Sequence, residues 1–430
     1  MLFIFLLFIS NYLFDLSSDT KCQMKKIANL QYLKYKGVRQ LFITYLLGGY
    51  NQSIQHVVIG WFTYNLTNSP ILTSLTHGVA TIPNIITGPI GGYLADKFDR
   101  KNILIFSNIG ALIITAIFSY LISKSFFQVS WIFIFLFLKG VIYNLSGSSG
   151  RAILANVIPK NQKILTEATA ITIASYFIAT TLIPPFAGKL FQLTGPSFTL
   201  GTISISLFFA ILIFSQVKMI SPEEKAKSPA NFKEIFYFIT EKPILQLMLF
   251  SKSTIWMIIT PFTHGILPIF AKDILNTDSV GLGILFTSLG LGGLTGSLIV
   301  IFLSKFHTTK AIIIIFLFLS FIAMLLLSIS NSMFSTITCL FLINVTVMGN
   351  LTYIQSNILF QSKDEFRGRI SSIDSLNMAM APIGNFSVGF LIKFYNISRA
   401  IQIGSFTGII ITILSIFLFP NLMEIKDKKQ

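Results

Sequence analysis

Apolar residues gather in blocks of about 20 along this chain, the length at which a helix crosses the hydrocarbon layer of a bilayer, and short polar stretches separate the blocks. After residue 40 twelve such runs follow, beginning near Gln40, Ile71, Asn102, Ser130, Ile164, Ser197, Ile244, Gly281, Ala311, Met333, Ser371 and Ala400, with the last ending near Pro420. One long polar stretch interrupts them, Lys218 to Pro243, and its SPEEKAKSPANFKE segment predicts a linker between two sets of six. The pattern predicts an all-α integral membrane protein with an N-terminal segment 1–39, a six-helix half 40–217, a linker 218–243, a second half 244–420 and a tail 421–430. Residues 1–23 break the pattern. The run Met1 to Phe14 is too short to span and lacks the basic start and small-residue cleavage site of a signal peptide. Met24-Lys25-Lys26 looks like an ordinary cytoplasmic start, so the expectation is a true start at Met24, with an interfacial helix as the alternative.

Composition supports the membrane reading. Of 430 residues 53% are hydrophobic and 11% charged, against about 25% charged in soluble domains, which excludes soluble, disordered and coiled-coil classes. The net charge of +16 would suggest nucleic acid in a soluble protein. Sorted by alternate loops, however, 25 basic residues fall on one side and five on the other (Lys124, Lys189, Lys272, Lys393 and Arg399), with Lys139 and Lys252 inside runs. Short cytoplasmic loops hold such an excess, so both termini are expected in the cytoplasm, with a lipid bilayer and no nucleic acid as partner. Two isolated cysteines, Cys22 and Cys339, make neither a disulfide framework nor a metal site.

The halves repeat at an offset of 204 residues: Gly88 and Gly92 map onto Gly292 and Gly296, Lys101 onto Lys305, and Pro159-Lys160 onto Lys363-Asp364. An internal repeat of this size is a common plan of transporters.

The sharpest motif is Gly92-Tyr-Leu-Ala-Asp96-Lys97-Phe98-Asp99-Arg100-Lys101, between the second and third runs. Its small residue allows close helix approach, its carboxylate can meet a helix N-terminus or an arginine, and its cations suit anionic headgroups. It resembles the G-x-x-x-D-R/K-x-G-R/K-R/K signature of the major facilitator superfamily, with Asp99 where the general pattern has Gly. The FDRK ending, Gln55 to Thr67, Gly150-Arg151 to Pro159, and Glu365-Phe-Arg367-Gly368-Arg369 are similar to the branch that holds the enterobactin exporter and related efflux proteins. The fifth-run antiporter motif survives only as Pro184-Pro185-Phe186-Ala187-Gly188. The resemblance implies alternating access between two halves, export of a small amphipathic or anionic molecule from a bacterial cytoplasm, siderophore-like or drug-like, and proton antiport. It also implies a cytoplasmic gate of Gly92, Asp96, Lys97, Arg100, Lys101 and Arg151. A solute importer or lipid flippase on the same fold, and a non-transporting sensor or scaffold, are the alternatives.

Polar groups inside spans are functional candidates, because a charge there costs at least about 2.5 to 3.5 kcal/mol. Lys139, deep in the fourth run, and Lys252, about two turns into the seventh, could each meet an anionic substrate group; that role is expected of Lys139, whereas Lys252 is expected rather to reach the cytoplasmic interface. Gln52, Gln55, Asn144, Asn344, Tyr353 and Gln355 are expected to face a substrate path rather than lipid. No acid occupies a span centre, which leaves His56 and His77 as proton-coupling candidates. Motifs for ATP, zinc proteases and serine hydrolases do not occur. The sequence therefore calls for a monomeric transporter rather than an enzyme, with no cofactor and no metal.

Overall fold

The computed structural model describes residues 35–84, 87, 90, 98–124, 127–157, 162–217, 240–303, 309–361 and 377–419. Among these every regular element is helical. In chain order they are α1 (Lys36–Thr67), α2 (Pro70–Thr81), α3 (Arg100–Ile122), α4 (Ser130–Val157), α5 (Gln162–Ser215), α6 (Pro243–Thr254), α7 (Leu267–Asp273), α8 (Ser279–Leu303), α9 (Thr309–Leu327), α10 (Met333–Gln361), α11 (Ala381–Phe394) and α12 (Ile397–Leu418). Two π-helical turns, Ile255–Ile259 and Pro261–Gly265, join α6 to α7. The start of the eleventh run near Ser371, the linker 218–239 and both chain ends lie outside the described residues.

Local chemistry sets the turns. Asn68 closes α1 in the left-handed region at φ 46°, Ser69 Oγ then accepts the Leu72 N–H, and Pro70 opens α2, the residue types that stop and start helices. Asp99, the departure from the family motif, caps α3 by accepting the Lys101 and Asn102 N–H groups. α5 has 54 residues, and at 1.5 Å per residue a straight helix of that length would reach about 80 Å. Gly195, at φ 77° and ψ 177°, folds it instead. The arm before Gly195 runs parallel to α1, with Gly49 packed on Tyr176 and Ala179 and Ser175 Oγ bonded to the Phe42 carbonyl. The arm after it runs antiparallel to α1, with Tyr50 bonded to Thr202 and Val38 and Leu41 clustered with Phe214 and Val217. α5 therefore carries the fifth and sixth runs, while α6, the π turns and α7 carry the seventh.

Among the described residues seven helical segments are long and apolar enough to span a bilayer. α1 has ample length at 32 residues, but Asn51, Gln52, Gln55 and His56 lower its hydropathy. Burial separates lipid-facing from central spans: 22% of the α3 window and 33% of the α12 window are buried, against 78% for Pro243–Asp273. Phe106 on α3 and Phe417 on α12 point outward accordingly.

Gly88 and Gly92, the repeat partners of Gly292 and Gly296, lie outside the described residues, but the same pairs of helices cross in each half. α4 crosses α2 where Gly140 meets the Ala80 carbonyl, and α10 crosses α8 where Gly292 and Gly296 meet the Phe341 and Val345 carbonyls. Lys101 Nζ, at the start of α3, donates to the carbonyls of Ser215 and Val217 at the end of α5. Lys310 Nζ, at the start of α9, donates to the Phe419 carbonyl beyond α12. The same device thus recurs in both halves, with Lys310 in the part the sequence repeat gave to Lys305, a residue outside the described set.

Call the end holding Lys36, Lys101, Lys242 and Lys310 the basic end, and the end holding Asn68, Gly195, Asp273 and Asp278 the polar end. Toward the polar end one hydrophobic core runs through both halves, from Ile54 and Leu136 to Phe262, Leu285 and Ile401. At the basic end it gives way to two separate clusters, Val38, Leu104 and Phe214 in the amino-terminal half and Met248, Ile312 and Ile354 in the carboxy-terminal half.

Candidate functional site

The halves meet by backbone approach near the polar end. On the antiporter-like motif, a β-carbon at Gly188 would collide with the Ser279 carbonyl, and one at Gly283 would collide with Pro184 and Pro185. Ser279 Oγ donates to the Gly188 carbonyl and Thr287 Oγ1 to that of Thr181. α2 lies antiparallel on α11, where Ser74 Oγ donates to the Asn385 carbonyl. α1 lies along α7, with Gly60 against Pro268 and Tyr64 Oη donating to Asp273 Oδ2.

Just inside this seam three imidazoles converge. Ring centroids of His56 and His77 are 6.0 Å apart, those of His56 and His264 5.5 Å, and those of His77 and His264 5.3 Å. Phe286 of α8 covers two of them, 5.8 Å from His56 and 6.0 Å from His264. Each ring has a polar partner: Gln52 Nε2 donates to His56 Nε2 at 3.1 Å, Asn385 Nδ2 to His77 Nδ1 at 3.4 Å, and Thr263 Oγ1 pairs with His264 Nδ1 at 3.0 Å. The rings line a cavity of about 40 Å³ together with Gln55, Thr76 and Leu136. No group of His, Cys, Asp or Glu among the described residues is arranged to hold a metal ion.

His56 and His77 therefore stand together. His264 is the member the sequence reading missed. Its signal was there, since the chain has four histidines in all and His264 lies in an apolar run behind Pro261. π turns such as its own are frequent at functional sites.

Lys139 approaches from α4. Its Nζ is buried with no hydrogen-bond partner among the described residues, 5.5 Å from the Phe135 ring, and within electrostatic reach of His56. Lys252, expected to extend toward the interface, is instead packed inside the protein, 6% exposed, and donates to Gln355 Oε1 at 3.4 Å. α10 supplies that acceptor, and it offsets the burial of the ammonium. Asn144 is half-buried. Asn344 Nδ2 donates to the Leu289 carbonyl, and Tyr353 is packed in the basic-end cluster of the carboxy-terminal half. Of the gate motif, Gly92, Asp96 and Lys97 lie outside the described residues, as does the Arg151 side chain. Arg100 opens α3, and Lys101 holds the end of α5.

A sequence profile described as transmembrane secretion effector matches residues 27–430. The chain is 23% identical over 387 residues to a staphyloferrin A transporter of Staphylococcus aureus, covering 86% of this chain and 93% of that one. It is 23% identical over 350 residues to macrolide efflux protein A of Streptococcus pyogenes, covering 77% and 83%. Among solved structures, a POT family transporter in complex with a thioalcohol-conjugated peptide aligns with a TM-score of 0.76 at 12% identity, covering 90% of this chain and 97% of that one. A D-xylose-proton symporter aligns with a TM-score of 0.68 at 12% identity, covering 89% and 97%.

Proposed function

The chain belongs to the transmembrane secretion effector family of major facilitator transporters, and from that membership we propose that it exports a small amphipathic or anionic molecule, siderophore-like or drug-like, from a bacterial cytoplasm. The family's description as a secretion effector and a relative named for macrolide efflux support export, and a relative named for staphyloferrin A transport supports a siderophore-like cargo. In this reading the basic end and both termini face the cytoplasm, as the positive excess suggests. The two halves then rock about a central path, and the form described here is shut toward the outside. The motif at Gly92, Asp96, Lys97, Arg100, Lys101 and Arg151 would govern the cytoplasmic side.

The observation that carries the substrate class is Lys139. A buried ammonium without a hydrogen-bond partner is costly in a low-dielectric interior, and the span centres hold no carboxylate to neutralise it. An anionic group on the substrate would offset that cost on binding. Proton antiport through His56 and His77 would drive the cycle, since imidazole is the group that titrates near neutrality.

Uptake of labelled staphyloferrin A and of a labelled macrolide into inverted vesicles, with and without a pH gradient, tests the reading. Accumulation of either probe that depends on the gradient is the expected result. Accumulation of neither probe in inverted vesicles, with uptake instead by right-side-out vesicles, would make the protein an importer.

A further inference from the structure

Three of the chain's four histidines meet where the two halves touch. His56 and His77 belong to the amino-terminal half and His264 to the other. The cavity they line, about 40 Å³, is far below the roughly 300–1,000 Å³ of organic-ligand pockets but exceeds the about 10–15 Å³ that one water needs. Its fitting occupant is water, and its fitting cargo in this form is a proton.

Among the described residues several elements face the rings. α1 brings Gln52 and Gln55, α4 brings Lys139, α8 brings Phe286 and α11 brings Asn385. None is a carboxylate: the acids whose side chains are described, Asp99, Glu241, Asp273 and Asp278, all lie at helix ends or in turns. Asn385 Oδ1 is buried with no hydrogen-bond partner among the described residues and sits over Gly265, next to His264.

We propose that His56, His77 and His264 form one proton-binding unit shared by the two halves, uncharged while the polar end is shut and charged when it opens. In the shut form Gln52 and Asn385 each offer an N–H to a ring nitrogen, which suits neutral imidazole. A proton taken from cavity water turns one ring into a donor. On His264 the orphan Asn385 Oδ1 can accept from it, whereas a charge on His56 meets the Lys139 ammonium, and no described carboxylate screens either. Parting the halves at the polar end admits water and relieves that repulsion, and closing them returns the proton to water. This inference deepens the export reading, because it names the groups through which a pH gradient would act.

Distances between spin labels at Leu193 and Phe334 test it. Both sites are exposed, at 71% and 80%, and lie at the polar end of opposite halves. Cys22 and Cys339 would be replaced by alanine. The label distance should lengthen as the sample is taken from about pH 8 to about pH 5, the range in which imidazole titrates, and His77→Gln and His264→Gln should each abolish the change. Gly283→Trp, which wedges the seam, shows that the labels sense opening. A wild-type distance unchanged in acid while Gly283→Trp is long overturns the proton unit and leaves export standing, as does an acid response that survives in both glutamine variants. A short distance in Gly283→Trp as well would overturn the motion of the halves, and with it both readings.

Discussion

Tyr64, in the last turn of α1, donates its hydroxyl to Asp273 at the end of α7, and Lys272 lies 5.1 Å above the same ring while bonding Asn65 Oδ1 at 2.8 Å. Four side chains from two halves thus close one latch at the polar end. Gln192 and Asp278, 2.6 Å apart, close a second between α5 and the start of α8.

Tyr64→Phe should loosen the first latch. A hydrogen bond to a charged group contributes about 1.5–3 kcal/mol, and taking the low end for the exposed Asp273, the population open at the polar end should rise about tenfold. Labelling of Gln55→Cys by a membrane-impermeant thiol reagent from the polar side measures that population. Equal labelling rates with and without the Tyr64 hydroxyl would make the bond incidental.

Asp278 gives a pH signature of its own. Its Oδ1 accepts the Val280 and Gly281 N–H groups at the start of α8. The Gly281 bond first, then those from Gln192 and Val280, hold its carboxyl below the usual carboxylate value against the opposing effect of burial. Because the folded value lies below the unfolded one, the carboxylate stabilises the fold at any pH above the ordinary value of about 3.8 and loses that effect as pH falls through the folded value. Asp278→Ala should therefore lower stability near pH 7 by about 0.5–2 kcal/mol, with the gap closing in strong acid. Thermal unfolding in detergent across that range checks this, and a gap that stayed constant into strong acid would refute it. The second latch also stays intact over the range where imidazole titrates, so opening there is not its doing.

Lys139→Met should abolish or weaken transport of an anionic probe, and expression should hold or improve because an insertion cost of about 2.5–3.5 kcal/mol is removed. Lys139→Arg should keep part of the activity. Wild-type rate and affinity in the methionine variant, measured in the inverted vesicles, would remove the anionic-substrate reading.

The two lysine caps should differ in strength. Lys101 is partly exposed, so its hold on the end of α5 is worth about 0.3–1 kcal/mol, whereas Lys310, 4% exposed, acts in a drier setting and can reach about 2 kcal/mol. Thermal unfolding should rank Lys310→Met below Lys101→Met. The reverse order would mean that burial does not set the strength of these caps.

The runs of apolar residues made the helices legible, and the Asn68-Ser69-Pro70 turn was readable in kind. The fold of α5 at Gly195 was legible too, because a run of that length cannot fit one bilayer crossing. Asp99 read as a departure from a motif and turned out to be a helix cap. His264 and Asn385 were hidden for a physical reason: a cluster between halves depends on which faces of distant helices meet, and two π turns shift the faces of the seventh run away from any ideal periodicity. Lys252 read as an interfacial residue because its distance from the helix start was visible, whereas the Gln355 acceptor more than a hundred positions later was not.

The seam itself has a kinetic meaning. Gly188 against Ser279, Gly283 against Pro184 and Gly60 against Pro268 are contacts in which at least one partner has no side chain to rearrange. An interface of long side chains must reset many rotamers each time it forms, at about 0.5–1.5 kcal/mol for each one immobilised. This one sheds little such freedom on closing and regains little on opening. If the halves part here as proposed, the hydrogen bonds at the rim would weigh heavily in the barrier, and single polar substitutions there should change the turnover rate without repacking the core.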